Sequence, residues 1–421
     1  MSTVIRRRWF SERAGSSRKD NRGCEYTAYV PDPLVGRSFA IEGAVAADLA
    51  NAEAAITRLN ITATSLVDTE SLARILLCAE SVASSRIEGL EIGARRLLRA
   101  EAARDLGDDP RDITAVEVLG NIDAMAHAVE HVGPGDPITT DLILRVHQDL
   151  LAGTRLEEHG GRFRQEQNWI GGSAYNPCSA VFVPPPHEHV PGLIEDLVAF
   201  ANGESLPTVA QAAIAHAQFE TIHPFVDGNG RTGRTLIHLI LRRRGLAPRV
   251  LPPVSLILAT WSRDYIEGLT AYRYRGSATS KQASDGVNLW IGRFAAACTR
   301  AVDDASSFER RAQAIEMEWR ERLGRVRARS SADLLLRLLV GAPVISVNSA
   351  ADLIGRSFVR TNEAIARLVE AGILKQVTVG RRNRAFEASA IIAAFADLER
   401  QLASPEGDTL TSEPVRHVPR R

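Results

Sequence analysis

The sequence predicts a mainly α-helical protein that carries one short β-hairpin and ends in a small C-terminal domain. Three observations predict it. Apolar residues recur at three-and-four spacing through 40–131, and helical patterning returns after 190. One block, 160–190, interrupts that rhythm with paired glycines around short apolar runs. The last block, 330–395, runs helix, helix, hairpin.

Residues 1–35 are polar and Arg-rich and read as an irregular arm. The region 36–131 is helical, with Leu72, Ile75, Leu76 and Val82 on one stripe. Gly133-Pro134-Gly135-Asp136-Pro137 ends it, and Thr140 is expected to cap a helix over 140–152. A central domain then covers 132–300. Within it, Gly160-Gly161 and Gly171-Gly172 bracket Trp169-Ile170. Ala180-Val181-Phe182-Val183 stops at Pro184-Pro185-Pro186, which completes the expected hairpin. Helices are predicted over 190–202, 207–221, 230–245, 261–274 and 286–327, with 301–329 serving as a helical linker.

The C-terminal domain, 330–398, is expected to hold helices 331–340, 348–355 and 358–371, the last capped by Gly372. Strand 373–379 and the segment 385–387 flank the turn Gly380-Arg381-Arg382-Asn383-Arg384. That order is a winged helix-turn-helix pattern. The remainder, 399–421, is a polar tail of the kind that stays disordered.

Composition narrows the function classes. The chain has 421 residues, 45% hydrophobic and 24% charged, enough apolar material for packed cores. Lys plus Arg and Asp plus Glu both number 51, which excludes a whole-chain basic footprint but not a local basic patch. Cys24, Cys78, Cys178 and Cys298 are far apart, with no His at zinc spacing. No zinc site and no disulfide framework is expected, and a reducing compartment fits. No apolar run approaches the roughly 18 residues that span a bilayer, and Arg6-Arg7 precedes no apolar leader segment. The expectation is a cytoplasmic protein with no membrane partner.

The densest chemical signal is His223-Pro224-Phe225-Val226-Asp227-Gly228-Asn229-Gly230-Arg231-Thr232-Gly233-Arg234. It lies between two helical patterns, so it is a loop that opens into a helix N-terminus. Gly228, Asn229 and Gly230 tolerate unusual backbone angles and can turn several N–H groups toward one point. At a helix start this makes an anion cradle suited to phosphates. Arg231 and Arg234 stand one turn apart and can face one ligand, which implies more than one phosphate. Asp227 is a hard oxygen ligand of the kind Mg²⁺ takes beside a polyphosphate. His223 is a base near neutral pH. A lone histidine before proline, or a lone Gly-Asn-Gly, is usually only a loop feature; the whole set together is not.

This segment resembles the signature of the Fic family, H-x-F-x-[DE]-G-N-G-R-x-x-R, at every fixed position. Phe219-Glu220-Thr221-Ile222 before it and Leu236-Ile237 after it match as well. Asn168-Trp169-Ile170-Gly171-Gly172 and Phe182-Val183-Pro184-Pro185-Pro186 look like the family's flap. The resemblance spans roughly 25–300 and implies a Fic helical bundle with a hairpin flap. It also implies transfer of AMP from ATP to a Tyr, Thr or Ser hydroxyl of a target protein, the enzyme itself included. His223 would be the base and Asp227 the Mg²⁺ ligand. Gly228, Asn229, Gly230, Arg231, Thr232, Gly233 and Arg234 would hold the nucleotide. Tyr265 falls where relatives carry an aromatic near the nucleotide, although a core or surface aromatic is the better reading there.

Upstream, Ser84-Ser85-Arg86-Ile87-Glu88-Gly89 matches the family's inhibitory pattern [ST]-x-x-x-E-[GN] through Ser84, Glu88 and Gly89. The resemblance implies that Glu88 pairs with Arg234 and removes the γ-phosphate clamp. In some relatives the same glutamate supports AMP removal. A phosphorylating relative departs from the Gly-Asn-Gly and second-Arg positions that this chain keeps. In the C-terminal domain, Arg360 near the start of the expected recognition helix and Arg381, Arg382 and Arg384 in the wing suit DNA phosphates. Glu363 and Glu370 on the same helix weigh against DNA, winged helices also serve protein docking and dimerisation, and a nucleotide-sensing DNA-binding regulator is the competing reading.

Overall fold

The structure is a computed structural model that describes residues 2–10, 17, 21–62, 69–108, 112–379 and 383–401. It opens with strands β1 (Thr3–Trp9) and β2 (Cys24–Val30). Helices α1 (Gly43–Thr62), α2 (Thr69–Ile87), α3 (Ala94–Asp105), α4 (Ile113–Glu130) and α5 (Thr140–Leu151) follow. After a long connection come α6 (Val190–Ala201), α7 (Thr208–Ile222), α8 (Asn229–Arg243), α9 (Val254–Thr260) and α10 (Ser262–Tyr272). The long α11 (Lys281–Leu323) leads to α12 (Ser331–Gly341), β3 (Val344–Ile345), α13 (Val347–Ile354) and α14 (Phe358–Glu370). Strands β4 (Lys375–Val379) and β5 (Asn383–Glu387) and helix α15 (Ser389–Gln401) complete it. The protein is mainly helical, as its periodicity predicts.

Two compact units interleave along the chain. One holds the chain up to Asn51, His127–Gly245 and Arg263–Ala296; the other holds Ala52–Ala126, Leu246–Ser262 and the chain from Ala297 onward. In the first unit, α7 is buried along its whole length, so its face carries no polar stripe. Ala210, Ala212, Ala213, Ala215 and Ala217 keep it thin, and neighbours approach closely. A Cβ on Gly233 of α8 would sit 2.9 Å from both Phe219 Cδ1 and Glu220 Oε1 of α7. Trp290 donates its indole N–H to the Ala213 carbonyl at 2.7 Å.

In the second unit, α2 packs with α9 and α12. Buried Glu80 of α2 accepts the Ser255 N–H at 2.7 Å and the Ser255 hydroxyl. A Cβ on Gly341 of α12 would stand 2.6 Å from Ser71 Cα, so α12 and α2 meet backbone to backbone there. The three C-terminal strands form an antiparallel sheet in the order β3-β5-β4, with Val344 and Lys375 both opposite Glu387. Arg99 of α3 pairs with Glu387 at 2.7 Å. The C-terminal block is therefore packed into a unit with α2 and α3, and the unit boundaries do not follow the composition shifts.

Three expectations need correction. The first 35 residues are not an irregular arm throughout: β1 and β2 pair antiparallel from Thr3↔Val30 to Trp9↔Cys24. Arginines at 6, 7 and 8 hide the strand signal, because long stems leave their charges in water from either face. The block 160–190 does not form two strands. It holds one isolated bridge, Ile170↔Phe182, and the 3₁₀ turn Pro177–Ser179. Its tight return is set at Gly172, φ +81°, where a Cβ would lie 2.4 Å from the Ser179 carbonyl oxygen. Finally, Cys24 and Cys178 are joined as a disulfide across 154 residues. Sequence spacing carries no information about spatial closeness at that range. Cys78 and Cys298 are free and buried.

The N-terminal hairpin lies along the segment read as the flap. Tyr29 N–H donates to the Val183 carbonyl at 2.9 Å, and Trp9 meets Trp169 edge to face at 5.3 Å. The bridge joins β2 to the same segment. Among the described residues, no helix is long and apolar enough to cross a membrane.

Candidate active site

The loop 223–228 is suspended between the end of α7 and the start of α8. His223 closes α7 in the left-handed region, φ +50° and ψ +62°, while its N–H still reaches the Phe219 carbonyl at 2.8 Å. A non-glycine residue there costs about 1–3 kcal/mol and persists only where its surroundings fix it. Here two side chains fix it. Arg164 Nε and Asn168 Nδ2 both donate to the His223 carbonyl, at 2.9 and 3.2 Å. Gly228, φ +73°, starts α8, and a Cβ there would press 2.9 Å from Leu150 Cδ2.

Beneath the loop, Phe225 is fully buried and stacks on His147, with ring centres 3.7 Å apart and planes 4° from parallel. His147 Nδ1 accepts the Gly161 N–H at 3.1 Å, so Nε2 carries the proton and donates to the Asp227 carbonyl at 3.0 Å. Asn229 accepts the Phe225 N–H at 2.8 Å and donates to the Phe225 carbonyl at 2.9 Å. Its amide is thus committed to holding the loop. The backbone N–H groups at the start of α8 remain for a ligand.

The charged groups divide into buried and open. The Asp227 side chain is about half exposed at 53%; one oxygen accepts the Gly228 N–H at 2.7 Å and the other lies 3.7 Å from Arg231 Nη2. Arg231 is buried, and its Nε and Nη1 have no hydrogen-bond partner among the described residues; Thr232 Oγ1 is in the same state. Buried unpaired donors on a guanidinium cost free energy unless an anion meets them. This is the strongest sign of an anion site in the loop. Gly230 and Gly233 are buried within α8, and Arg234 is 1% exposed.

His223 itself is 20% exposed, with Nδ1 3.9 Å from Glu220 Oε2. Burial, then the Arg164 and Arg273 guanidinium groups, push its pKa down to about 3, against a smaller upward pull from Glu220 and Asp227. The imidazole is neutral at physiological pH and able to accept a proton. Tyr265 is buried, its hydroxyl 2.9 Å from His216 Nε2 and its ring stacked on that imidazole. That geometry supports the packing reading of Tyr265 rather than the nucleotide one.

The upstream motif lies in the other unit. Ser84 is fully buried on α2, which ends at Ile87. Glu88 is exposed in the cap. Gly89, φ +85°, closes it, with Gly89 N–H donating to the Arg86 carbonyl at 2.9 Å and Leu90 N–H to the Ser85 carbonyl at 3.0 Å. This left-handed closure explains why glycine or asparagine suits that position. On α14, Arg360 is exposed. Arg384 donates to Asn362 at 2.9 Å, and Arg381 and Arg382 lie outside the described residues.

Sequence reasoning missed Arg164, Asn168 and His147 as site residues. His147 sits among Ile143, Val146, Leu150 and Leu151 on a helix face, where a histidine reads as core. Arg164 stands in a glycine-flanked stretch with no periodicity.

The model described as Fic/DOC family matches residues 137–241, and that described as Fic/DOC family N-terminal matches 46–130. Over these two stretches the chain is similar to the Fic/DOC family. It is similar to the protein adenylyltransferase fic-1 of Caenorhabditis elegans, 38% identical over 120 residues, which are 28% of this chain and 22% of that protein. It is also similar to the protein adenylyltransferase Fic of Drosophila virilis, 36% identical over 139 residues, 32% of this chain and 27% of the relative. The matches thus span about a quarter of these relatives. A crystal structure of a Fic family protein from Desulfovibrio desulfuricans G20 covers 83% of this chain and 97% of its own, at 21% identity and a TM-score of 0.52; it shows the shared fold.

Proposed function

We propose that this protein is a Fic/DOC protein adenylyltransferase. The carrying observation is the buried Arg231 guanidinium with unpartnered N–H groups at the start of α8, beside a neutral, partly open His223. The names of its relatives point the same way. In this reading ATP seats its phosphates on the N–H groups of Asn229 and Gly230 beside the Gly228 turn, on the Arg231 guanidinium and on the Thr232 hydroxyl, with Arg234 on the terminal phosphates. His223 accepts the proton of a Tyr, Thr or Ser hydroxyl. That oxygen bonds to the α-phosphorus as the bond to the β-phosphate bridging oxygen breaks, and pyrophosphate leaves.

Among the described residues, no three His, Cys, Asp or Glu side chains gather to cage a metal. A half-exposed lone carboxylate fits Mg²⁺ shared with phosphates, and Asp227 would hold it. When bound, the ion neutralises charge on the α- and β-phosphates.

Autoinhibition by Glu88 is part of the proposal: its carboxylate competes with the γ-phosphate for Arg234. The test is label transfer from α-phosphate-labelled ATP with Mg²⁺, to the protein itself or to lysate proteins. Strong label with Glu88→Gly, weak label with wild type and none with His223→Ala is expected. Label from the γ-position only would make the protein a phosphotransferase. Loss of label from pre-modified target with wild type would make it a de-AMPylase.

A second reading rests on the C-terminal block. The order α12, β3, α13, α14, β4, β5 supports a winged helix, and exposed Arg360 and Arg367 on α14 with Arg356 in the turn before it suit a phosphate backbone. Salt-dependent, sequence-specific DNA binding with no AMP transfer in any variant would favour a nucleotide-sensing regulator. A cytoplasmic location supplies the ATP and Mg²⁺ that this chemistry uses.

A further inference from the structure

Arg164 is buried in the first unit, and its described hydrogen bonds go to backbone carbonyls rather than to a carboxylate. Nε donates to His223 O at 2.9 Å and Nη1 to Glu166 O at 3.0 Å. Nη2 donates to Pro185 O at 2.5 Å and, more weakly, to Ile222 O at 3.4 Å. Its own N–H reaches Pro224 O at 2.9 Å. The acceptors fall into two groups. Ile222, His223 and Pro224 are the end of α7 and the root of the catalytic loop. Glu166 and Pro185 are the two roots of the flap, the segment whose single bridge is Ile170↔Phe182.

A buried cation with no directly paired anion is costly, so its retention calls for a reason. The reason is geometric. A guanidinium presents five N–H donors in one rigid plane, which a point-like ammonium or a two-donor amide cannot match. Only such a fork can reach four carbonyls on two segments at once. One of those carbonyls belongs to the left-handed His223, whose conformation relaxes unless it is held.

We propose that Arg164 is a positioning residue that fastens the His223 backbone to both roots of the flap, so that the general base and the surface presenting a target hydroxyl keep one fixed relation. The catalytic consequence rests on the adenylyltransferase reading; the fastening itself does not. Two neighbours support it. Asn168, at the flap's first root, adds its own bonds to His223 O and to Phe225 O at 3.2 and 3.1 Å. The Arg164 charge also adds to burial in keeping His223 neutral.

The test uses the full chain with Arg164→Lys and Arg164→Gln, each in the wild-type and Glu88→Gly backgrounds. Amide hydrogen exchange is followed over 220–226, 166–170 and 180–183, with calorimetric ATP binding and steady-state AMP transfer alongside. With Arg164→Gln, exchange is expected to rise about tenfold in the catalytic loop and in both flap roots together. The Kd for ATP should stay within about twofold, while kcat falls about 100-fold at an unchanged KM for ATP. Arg164→Lys, which keeps the charge but not the fork, should fall between and guards against loss of fold in the glutamine variant. Faster exchange in one segment alone, or wild-type kcat in a folded Arg164→Gln, overturns the proposal. If no background transfers AMP, the adenylyltransferase reading fails, and joint or separate loosening of the segments still decides the fastening.

Discussion

Asn229 illustrates how a signature residue can serve the backbone before it serves the substrate. Both ends of its amide are spent on Phe225, so Asn229→Ala strands the buried Phe225 N–H and leaves the Phe225 carbonyl to Asn168 alone. The expected loss is about 1–3 kcal/mol of stability, read by urea denaturation, and weaker ATP binding because the loop loses its shape. His223 makes a second prediction at this scale. Because burial and two guanidinium groups hold it near 3, the acid limb of the rate profile should not fall at the usual histidine value of 6.5. kcat/KM, which reports the free enzyme, should show no acid limb from His223 down to pH 6; a His223-dependent midpoint near 6.5 in kcat/KM would refute the assignment. The signature itself was legible because its glycines, carboxylate and arginines sit in one uninterrupted run. Arg164 and His147 were not, since their partners lie 59 and 80 residues away and no local pattern marks such distances.

At the scale of elements, the contact of α7 with α8 depends on glycine as well as on alanine. Gly233→Ala places a methyl 2.9 Å from Phe219 Cδ1 and Glu220 Oε1. Overpacking of this kind costs about 1–3 kcal/mol, and a thermal melt should show it. Gly172→Ala differs: its Cβ would strike the Ser179 backbone at a positive φ, so the flap turn must open rather than adjust. Its effect should fall on target use, with global stability changed little. Helix periodicity located the long helices to within a few residues, as with Val190–Ala201 and Thr208–Ile222. It failed for β1, whose three arginines mask the alternation, and for the short α9, where Pro252 and Pro253 suggest a loop. Prolines at a helix start are compatible with the first turn, which explains that miss.

At the scale of the whole molecule, two buried histidines and the partly buried His223 shape the response to acid. Burial lowers His216 and His223 to about 3 and His147 to about 4, against an ordinary 6.5. Below 6.5 the unfolded chain binds protons that the native chain refuses, so stability rises with pH and is lost as pH falls through 6.5. Glu399 acts in the opposite direction: burial raises it to about 7, and the native chain keeps its proton where the unfolded chain would release it. Burial also raises Asp304 and Glu309, but the three histidines titrate in the unfolded chain at higher pH, so stability is expected to fall on acidification from 6.5 to 5. Urea midpoints at pH 7 and pH 5 check the sign.

The Cys24–Cys178 bridge also changes what kind of object the chain is. It closes a ring that holds α1 to α5, so the second unit's contribution from Ala52–Ala126 lies inside a covalent loop while its later parts lie outside. A single peptide cleavage between the two cysteines opens the ring without parting the molecule. Limited proteolysis at exposed Gly107 should therefore leave the full mass on a denaturing gel until a reductant is added, whereupon two fragments separate. A lariat-like connectivity of this sort limits how far the first 178 residues can stray in the unfolded ensemble.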